Sequence, residues 1–348
     1  MRYELPATED RAIWDIWLSM HNLPAMAVAD ELGVYAALDA TPSTPAELAQ
    51  RLGLNRRGTD VLLGMLAALG LVSFRAGRYE LAAVARTYLL PSSVNYWGPL
   101  LRALGVVAQP HAALLGALRA PDEVATSVQL TPATTTGDPV EGWQSGQIDR
   151  AQAEAVSQIM HCHSLPASVA AARSGALQGV TRLLDVGGGS GCFSIAIAQH
   201  FPSVRCTVME LAAVCEVAKS YIADGGVADR VDTVAVDMFR EPWPRGYDGM
   251  FFSNIFHDWD AETNLFLAER AYDALSHGGR VFLHEMLPAE DGSGPSTTAS
   301  FSMLMLLATK GRQYTFSELR HILASAGFVD IDSRPTYGYY SIVSGRKA

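Results

Sequence analysis

Several features of other protein classes are scarce in this chain of 348 residues. Its 26 Lys and Arg stand against 36 Asp and Glu, a formal charge of −10. This balance argues against nucleic-acid binding, which needs cations to neutralise phosphates. No apolar run approaches the ~20 residues that span a bilayer, so we expect no membrane contact. The four cysteines lack paired spacing, so neither a disulfide framework nor a metal site is predicted.

The N-terminus also lacks the basic start and the apolar stretch of a signal peptide. It reads MRYELPATEDRAIWDIW, with acidic residues instead, and we expect a cytoplasmic protein. What is present is an ordinary globular composition, with 49% hydrophobic and 18% charged residues. A chain of this length is expected to fold as more than one domain.

The first hundred residues predict a mainly helical domain. An apolar stripe over residues 23–38 is typical of one helix. In STPAELAQRLG, Thr44 and Glu47 can form a capping box around Pro45, and Gly53 suits the helix end. A third helix follows, and SFRAGRYELA then predicts a hairpin that turns at its Ala-Gly pair. Together these elements indicate a winged helix.

A winged helix suggests a DNA-binding regulator, and the third helix tests that idea. Between Thr59 and Leu69 it contains no Lys, Arg, Asn or Gln that could reach base edges. We therefore disfavour a ligand-responsive DNA-binding regulator. A domain that packs against a second copy of the chain is the alternative.

After a Thr-rich and Pro-rich loop at residues 120–142 and a helix from 143 to about 176, the pattern changes. Short apolar runs alternate with helical stretches, which predicts an α/β fold with a mainly parallel sheet covered on both faces. The last two runs follow each other closely, as an antiparallel pair at the end of the sheet would. The runs are TRLLDVG, VRCTVME, VDTVAVD, YDGMFFSN, GRVFLHE, FVDIDSRP and YYSIVSGRK.

The glycine-rich stretch LLDVGGGSG lies where the first of these strands ends, which is where open α/β sheets bind ligands. Gly187 and Gly189 fit the first two positions of the dinucleotide motif G-x-G-x-x-G, but Cys192 stands at the third. The next glycine, Gly191, comes one residue early. This departure argues against an NAD(P) oxidoreductase. A tight strand-to-helix turn is the plain structural interpretation of the same loop.

Carboxylates after the next two strands favour a nucleoside ligand. Glu210 closes the second strand, where it can accept hydrogen bonds from both ribose hydroxyls. Asp237 and Met238 follow the third strand, where they can hold an adenine ring. No lysine of the GxxxxGK phosphate loop is present. A nucleoside without phosphates fits these residues best, and S-adenosylmethionine is such a ligand.

The sequence resembles class I S-adenosylmethionine-dependent small-molecule O-methyltransferases over nearly its whole length. The resemblance rests on DVGGGSG, VDMF, the distance from HDWD to HE, the SELRHILASAGF helix and the winged-helix segment. It implies a Rossmann-like, seven-stranded methyltransferase sheet and a helical N-terminal domain that forms a homodimer. The cofactor would be S-adenosylmethionine, with S-adenosylhomocysteine as product. The implied domains are 1–105 for dimerisation, 106–176 as a helical connector to the substrate site, and 177–348 for methyl transfer.

The same resemblance assigns further residues. Gly187 and Gly189 would let the backbone approach the methionine part of the cofactor, and Ser253 and Ser164 would lie near it. The histidines among the substrate-side candidates fit an ordinary polar helix face equally well, and a methionine stripe is more often plain core. The substrate-side candidates are Met160, His161, His163, Phe256, Met303, Leu304, Leu307 and Tyr314.

The stretch NIFHDWD places His257 directly after the fourth strand. A phenol titrates near pKa ~10 and a histidine near ~6.5, so a histidine here can accept the proton of a phenol during methyl transfer. A packed, hydrogen-bonded histidine is the structural alternative. The resemblance implies that His257 is the base and that Glu285, 28 residues later, orients it. A metal site that uses both His284 and Glu285 is disfavoured, because neighbours on a strand point to opposite faces.

The family's second carboxylate lies in a G-[KR]-E-R-T segment, where this chain reads KGRQYT. Gln313 then takes the place of the carboxylate, and Tyr314 follows where Arg is usual. A neutral amide can position a group but cannot share the charge of an imidazolium. The resemblance implies O-methylation of a small hydroxyaromatic substrate in secondary metabolism such as antibiotic biosynthesis, but the loss of the second carboxylate leaves a different acceptor atom open. Methylation of the ring carbon beside the phenol is the alternative.

Overall fold

A computed structural model describes most of the chain, namely residues 2–93, 96–98, 101, 109–120, 145–292 and 294–348. The predicted loop at 120–142 lies outside the described residues except for Ala120. The predicted start of the following helix, at residue 143, also lies outside the described residues. Among the helices of the described residues, none combines the length and the apolar character of a membrane-spanning segment. A cytoplasmic location stays a prediction.

The described residues form two compact units. The sheet unit contains residues 2–9, 145–287 and 316–348, and the helical unit contains residues 10–120 and 288–315. This division differs from the three consecutive domains expected from the sequence. The long helix before the sheet belongs to the sheet unit, and a late helical segment returns to the helical unit.

The helices and strands, each numbered in chain order, alternate regularly only in the second half of the chain. Two single turns of 3-10 helix, at Ser19–His21 and Phe256–Asp258, are not numbered. The numbered elements are α1 (Arg11–Leu18), α2 (Asn22–Glu31), α3 (Val34–Ala40), α4 (Pro45–Leu52), α5 (Arg56–Ala68), β1 (Val72–Arg75), β2 (Arg78–Leu81), α6 (Ala83–Tyr88), α7 (Gln109–Arg119), α8 (Arg150–Arg173), β3 (Arg182–Val186), α9 (Cys192–His200), β4 (Arg205–Glu210), α10 (Ala212–Asp224), β5 (Val231–Ala235), β6 (Tyr247–Ser253), α11 (Ala261–Ala274), β7 (Leu275–Met286), α12 (Ser296–Ala308), α13 (Phe316–Ser325), β8 (Phe328–Tyr337) and β9 (Tyr340–Lys347).

The predicted capping box in the helical unit is confirmed. The Glu47 N–H donates to the Thr44 hydroxyl at 3.2 Å, and the Thr44 N–H donates to the Glu47 carboxylate at 2.9 Å. These contacts satisfy donors that the first turn of α4 would otherwise leave free. The predicted hairpin is the antiparallel β1–β2 pair, and both Ala76 and Gly77 have positive φ at its turn.

The prediction of one helix over residues 23–38 is wrong. Gly33 has a φ of 73° and separates α2 from α3. That conformation is open to glycine but interrupts a right-handed helix. Both helices still bury apolar residues in one core, so the apolar stripe was real although the helix was not continuous.

Helix α12 is buried from Thr297 to Ala308 apart from the half-buried Ala299, and its second half, residues 303–308, is wholly apolar, as expected of a helix inside a core. It packs against α5 and α1 within the helical unit. Met303 and Leu307 belong to the hydrophobic core of this unit, together with Leu62 and Met65 of α5. The plain-core interpretation of this methionine stripe therefore fits Met303 and Leu307.

The sheet unit is built on the predicted seven-stranded sheet, in the order β5-β4-β3-β6-β7-β9-β8. Strands β3 to β7 are parallel to one another, and β9 is antiparallel to both β7 and β8. The chain runs outward from β3 to β5 and then returns to β6 on the other side of β3. The order of strands therefore reverses between β3 and β6, where sheets of this kind bind ligands.

The predicted antiparallel pair is confirmed, but the last strand lies inside the sheet and β8 forms the edge. The burial of the two strands explains this order. β9 has no exposed residue, whereas β8 carries exposed polar residues such as Asp330 and Asp332 and also contains Pro335. Charges and proline are typical of an edge strand, which must not pair further.

Candidate active site

The glycine loop joins β3 to α9 at the point where the strand order reverses. Gly187, Gly189 and Gly191 all have positive φ, at 66°, 54° and 75°. A Cβ added at Gly187 would meet the Ile255 side chain at 2.5 Å, whereas nothing lies within 4 Å of one added at Gly189. The loop therefore packs tightly at its first glycine and exposes open backbone at the second.

A buried carboxyl group, that of Asp185, packs against the glycine loop. Asp185 is 1% exposed and accepts a hydrogen bond from the Ser194 hydroxyl at 2.7 Å. A Cβ at Gly188 would meet the Asp185 carboxyl at 2.7 Å. Burial raises the pKa of Asp185 to about 6, against the effect of the Ser194 hydrogen bond. This aspartate therefore packs against the loop at Gly188 and is closed off from solvent.

Glu210 brings a carboxylate to the loop from the neighbouring strand. It is the last residue of β4, is 6% exposed, and accepts a hydrogen bond from the Gly189 N–H at 3.3 Å. Its other oxygen accepts from the Leu211 N–H at 2.9 Å. The open backbone at Gly189 and a buried acceptor beside it fit a nucleoside whose ribose donates hydrogen bonds.

Asp237 and Met238 lie just beyond β5, which ends at Ala235. The Asp237 carboxylate accepts hydrogen bonds from the Phe239 N–H at 2.9 Å and from Arg240 at 2.6 Å. Partial burial raises the pKa of Asp237, but these hydrogen bonds outweigh it and hold the pKa below its usual value. The side chain is therefore ionised and partly engaged before any ligand binds.

Helix α8 carries four residues that the sequence predicts at the ligand. One of them, His161, contacts Ser190 of the glycine loop. His161 bonds through Nδ1 to the Ser190 hydroxyl at 2.8 Å and through Nε2 to Tyr3 at 3.2 Å, and it stacks on Tyr221 at 4.4 Å. Its ring thus supports the glycine loop, and a substrate contact by His161 stays a prediction.

The other three α8 candidates differ in exposure and in protonation. Ser164 is buried, while Met160 and His163 are partly buried. Burial lowers the pKa of His163 to about 4, so its ring is neutral at physiological pH. Contacts of Met160 and His163 with a substrate, and of Ser164 with the cofactor, stay predictions.

His257 lies in the 3-10 turn that follows β6 and is 4% exposed. Its Nδ1 lies 3.5 Å from Oε2 of Glu285. Its Nε2 lies 3.5 Å from Oδ1 of Asp258, a side chain that is about one third exposed. The imidazole is therefore flanked by two carboxylates, of which the sequence argument had identified only Glu285. The adjacent position of Asp258 in HDWD was the available signal.

Glu285 has a second contact with the same turn. The carboxylate is 2% exposed, and its Oε1 accepts hydrogen bonds from the N–H groups of Ile255 at 3.1 Å and Phe256 at 3.0 Å. Burial raises the pKa of Glu285 to about 8, and the negative charge of Asp258 adds to that effect while the backbone N–H groups oppose it. Glu285 therefore binds its proton more tightly than an exposed carboxyl group does.

His284 and Glu285 point to opposite faces of β7, as the alternation of a strand requires. His284 is fully buried and is hydrogen-bonded to the Ser253 hydroxyl at 3.0 Å and to the Thr336 hydroxyl at 3.1 Å. Burial lowers the pKa of His284 to about 3. In the described part of the chain, no group of three or more His, Cys, Asp or Glu residues is arranged to hold a metal ion. The contact of Ser253 with the cofactor stays a prediction.

The remaining candidates lie in the helical unit, apart from Phe256, which is fully buried beside His257 in the sheet unit. Gln313 is 1% exposed, and its N–H donates to the Ser302 hydroxyl of α12 at 3.1 Å. Tyr314 is buried and stacks against the Arg312 guanidinium at 4.6 Å. Leu304 is 7% exposed. Roles for these side chains at a substrate stay predictions.

Comparison with known proteins decides the family. The family model of the O-methyltransferase domain matches residues 133–329, more than half of the chain. The model of the O-methyltransferase dimerisation domain matches residues 14–91. The chain belongs to the O-methyltransferase family. As the resemblance implied, it is a methyltransferase that uses S-adenosylmethionine.

Individual relatives resemble this O-methyltransferase over nearly all of its length. The 3-hydroxy-5-methyl-1-naphthoate 3-O-methyltransferase of Streptomyces sahachiroi is 34% identical, covering 96% of this chain and 94% of its own. The L-tyrosine C(3)-methyltransferase of Streptomyces lavendulae is 27% identical, covering 86% and 81%. A crystal structure of an O-methyltransferase family 2 protein from Planctomyces limnophilus with apigenin is 26% identical and covers both chains fully, with a TM-score of 0.85.

Proposed function

We propose that this O-methyltransferase methylates a phenolic oxygen of a small aromatic natural product, with His257 as the general base. The observation that carries the proposal is the buried pair of His257 and Glu285, whose Nδ1 and Oε2 are 3.5 Å apart. Glu285 at Nδ1 orients the ring and leaves Nε2 as the basic nitrogen, and the ionised form of Glu285 stabilises the imidazolium once a proton arrives. His257 lies in the turn after β6 and Glu285 near the end of β7, so both lie at the carboxyl ends of the strands, where sheets of this kind bind ligands.

In this reaction the protein itself has to remove one proton, that of the phenol. A bound S-adenosylmethionine supplies an electrophilic methyl group and its own leaving group. His257 Nε2 accepts the phenolic proton as the oxygen attacks, because a phenol with a pKa of ~10 is mostly protonated at neutral pH. Asp258, on the Nε2 side of the ring, adds a second carboxylate that can stabilise the cation or orient a substrate hydroxyl.

The cofactor is proposed to lie over the glycine loop. Gly187 and Gly189 would admit the methionine part, and Glu210 would accept from the ribose hydroxyls in place of the Gly189 N–H. The remaining proposed contacts come from other strand ends and from α8. They are Asp237 and Met238 at the adenine, and Ser253 and Ser164 near the methionine end.

The proposed substrate class is a hydroxylated aromatic acid or a related phenol of secondary metabolism. The naphthoate O-methyltransferase acts on such a compound and is 34% identical to this chain. The substrate-side candidates named above stay proposals within this class. We also propose that the protein is a homodimer, because its dimerisation segment matches that of the family.

A second candidate function is methylation of a ring carbon beside the phenol. It is favoured by Gln313, a neutral and buried side chain where the aligned family segment carries a carboxylate. It is also favoured by the similarity to an L-tyrosine C(3)-methyltransferase. The same base would make the phenolate in both reactions, so His257 does not distinguish them.

The test uses S-adenosylmethionine labelled in its methyl group and a panel of hydroxylated benzoic and naphthoic acids. We expect label to enter at least one phenol, and NMR of the product locates the new methyl group on oxygen or on carbon. A panel of aromatic amines and thiols serves as the comparison. Transfer to those compounds alone, with none to any phenol, would refute the proposed function.

A further inference from the structure

The position of His257 depends on the chain between Asn254 and Trp259, the His257 segment. This segment has a single turn of 3-10 helix and therefore few hydrogen bonds of its own. Side chains from three other elements bind its backbone or its first side chain. One of these side chains is Glu285 of β7, and the others come from β9 and α11.

The segment begins with a residue in a demanding conformation. Asn254 has a φ of 54°, in the left-handed region that most side chains disfavour and asparagine tolerates. Its Nδ2 donates a hydrogen bond to the Tyr340 hydroxyl of β9 at 3.2 Å, and its backbone N–H donates to the carbonyl of His284 at 3.2 Å. The side chain therefore ties the reversal of the chain after β6 to a strand two positions away in the sheet.

Tyr340 is itself held firmly. Its ring stacks on that of His284 with centroids 4.7 Å apart and planes 6° apart. His284 in turn is hydrogen-bonded to Ser253 and Thr336. The hydroxyl that Asn254 contacts thus belongs to a buried, packed group on the face of β7 opposite to Glu285.

Asn264 of α11 holds the middle and the end of the segment. It is fully buried, and its Nδ2 donates to the carbonyl of Phe256 at 2.8 Å and to that of Trp259 at 3.2 Å. These two carbonyls bracket His257 and Asp258. A buried amide that satisfies two buried carbonyls restricts both of them to one position.

We propose that Asn264 and Tyr340 are positioning residues for His257, which they hold at the distance and angle that proton transfer requires. The inference rests on the proposed role of His257 as the base. Glu285 holds the N–H groups of the segment, Asn264 holds its carbonyls, and Tyr340 holds the side chain at its start. Small displacements of a catalytic group can lower turnover by up to about 100-fold.

The central test compares Tyr340→Phe with wild type. This change keeps the ring stacked on His284 and removes only the hydroxyl that accepts from Asn254. We expect kcat to fall by about 3-fold to 10-fold, while affinity for S-adenosylhomocysteine and Tm change little. The acidic limb of the kcat profile should move to lower pH, because a displaced His257 is less well placed for its imidazolium to be stabilised by Glu285. Tyr272→Phe, whose ring packs on Phe328 at 5.2 Å, is the matched control and should keep wild-type kcat.

Two changes at Asn254 separate the backbone from the side chain. Asn254→Gly keeps the left-handed conformation and loses the hydrogen bond to Tyr340, whereas Asn254→Ala loses both, at a further cost in kcat of about 10-fold. Asn254→Gly combined with Tyr340→Phe should be no slower than Asn254→Gly alone, because both remove the same hydrogen bond. An additive loss in this double variant would contradict the assigned contact.

Asn264→Ala tests the third support, with an expected fall in kcat of about 10-fold to 100-fold. If this variant does not fold, Tyr340→Phe still decides the proposal. Unchanged kcat and an unmoved acidic limb in Tyr340→Phe would overturn it, as would a loss explained wholly by weaker cofactor binding. His257→Ala separately tests the base: an active His257→Ala refutes the proposed function, whereas an inactive one beside a fully active Tyr340→Phe refutes only the positioning role.

Discussion

The glycine loop and the His257 segment follow neighbouring strands of one sheet, and they are built in opposite ways. In the loop, residues 187–191, the backbone itself is the functional surface, and three glycines with positive φ make it accessible. In the segment, residues 254–259, the functional group is one imidazole. Side chains from β7 and α11 bind the backbone that presents it, and Tyr340 of β9 binds the Asn254 side chain. Binding a cofactor requires access, whereas moving a proton requires placement.

The largest effect is expected from removing the base. His257→Ala should lower kcat by about 10²-fold to 10⁴-fold, the range for loss of general base catalysis, while affinity for S-adenosylhomocysteine stays within about twofold. Steady-state kinetics and calorimetry give the two quantities. The exposed His277→Ala is the matched control and should behave as wild type. Weakened cofactor binding in His257→Ala would mean that the segment and the loop are not separable in function.

Removal of the Glu210 carboxylate beside the glycine loop should have the converse effect, a loss of cofactor affinity. Glu210→Ala should weaken binding of S-adenosylhomocysteine by about 10-fold to 100-fold, because hydrogen bonds to a charged acceptor contribute roughly 1.5–3 kcal/mol. Calorimetry measures the affinity directly. Asp232→Ala, an exposed carboxylate of β5, is the control. Unchanged binding in Glu210→Ala would remove the ribose assignment.

Two glycines of the loop offer a matched pair. Gly187→Ala meets both a positive φ and the Ile255 side chain at 2.5 Å, so it should lower the free energy of unfolding by about 1–3 kcal/mol. Gly189→Ala meets only its positive φ and should cost about 1 kcal/mol, but it should weaken cofactor binding because its methyl group enters the open space. Denaturant unfolding and calorimetry separate these effects. Equal losses of stability in Gly187→Ala and Gly189→Ala would show that the Ile255 side chain moves aside at little energetic cost.

The last expected effect is a pH dependence of stability that comes from Glu285. Burial raises its pKa to about 8, so between pH ~4.5 and ~8 the folded state holds a proton that the unfolded state has released. The stability contributed by this proton is complete below pH ~4.5 and is lost as the pH rises toward 8, with a slope of at most about 1.4 kcal/mol per pH unit. Glu285→Gln removes this term, so wild type should lose stability relative to the variant between pH ~5 and ~8. If the difference in free energy of unfolding between wild type and Glu285→Gln stayed constant over this pH range, Glu285 would be ionised throughout it.

The parts of the fold that the sequence predicted rest on local signals. The capping box at Thr44 and Glu47, the hairpin and the alternation of strands and helices follow from neighbours in the chain. The break at Gly33 was missed because the apolar stripe continues through it, and the edge position of β8 was missed because strand order depends on which strand the core buries. In the site, Glu285 was predicted because the resemblance places a carboxylate 28 residues after His257. Asp258 was not predicted, although it directly follows His257 in the sequence.

By itself, the sequence determined that a seven-stranded α/β sheet carries a glycine loop and an acidic second strand end, because turns and periodicity are encoded in adjacent residues. Only the tertiary structure decided which side chains hold His257. Asn264, Glu285 and Tyr340 reach the segment from separations of 8, 29 and 86 residues along the chain. No local pattern marks such contacts, because they form only when α11, β7 and β9 pack around the end of β6.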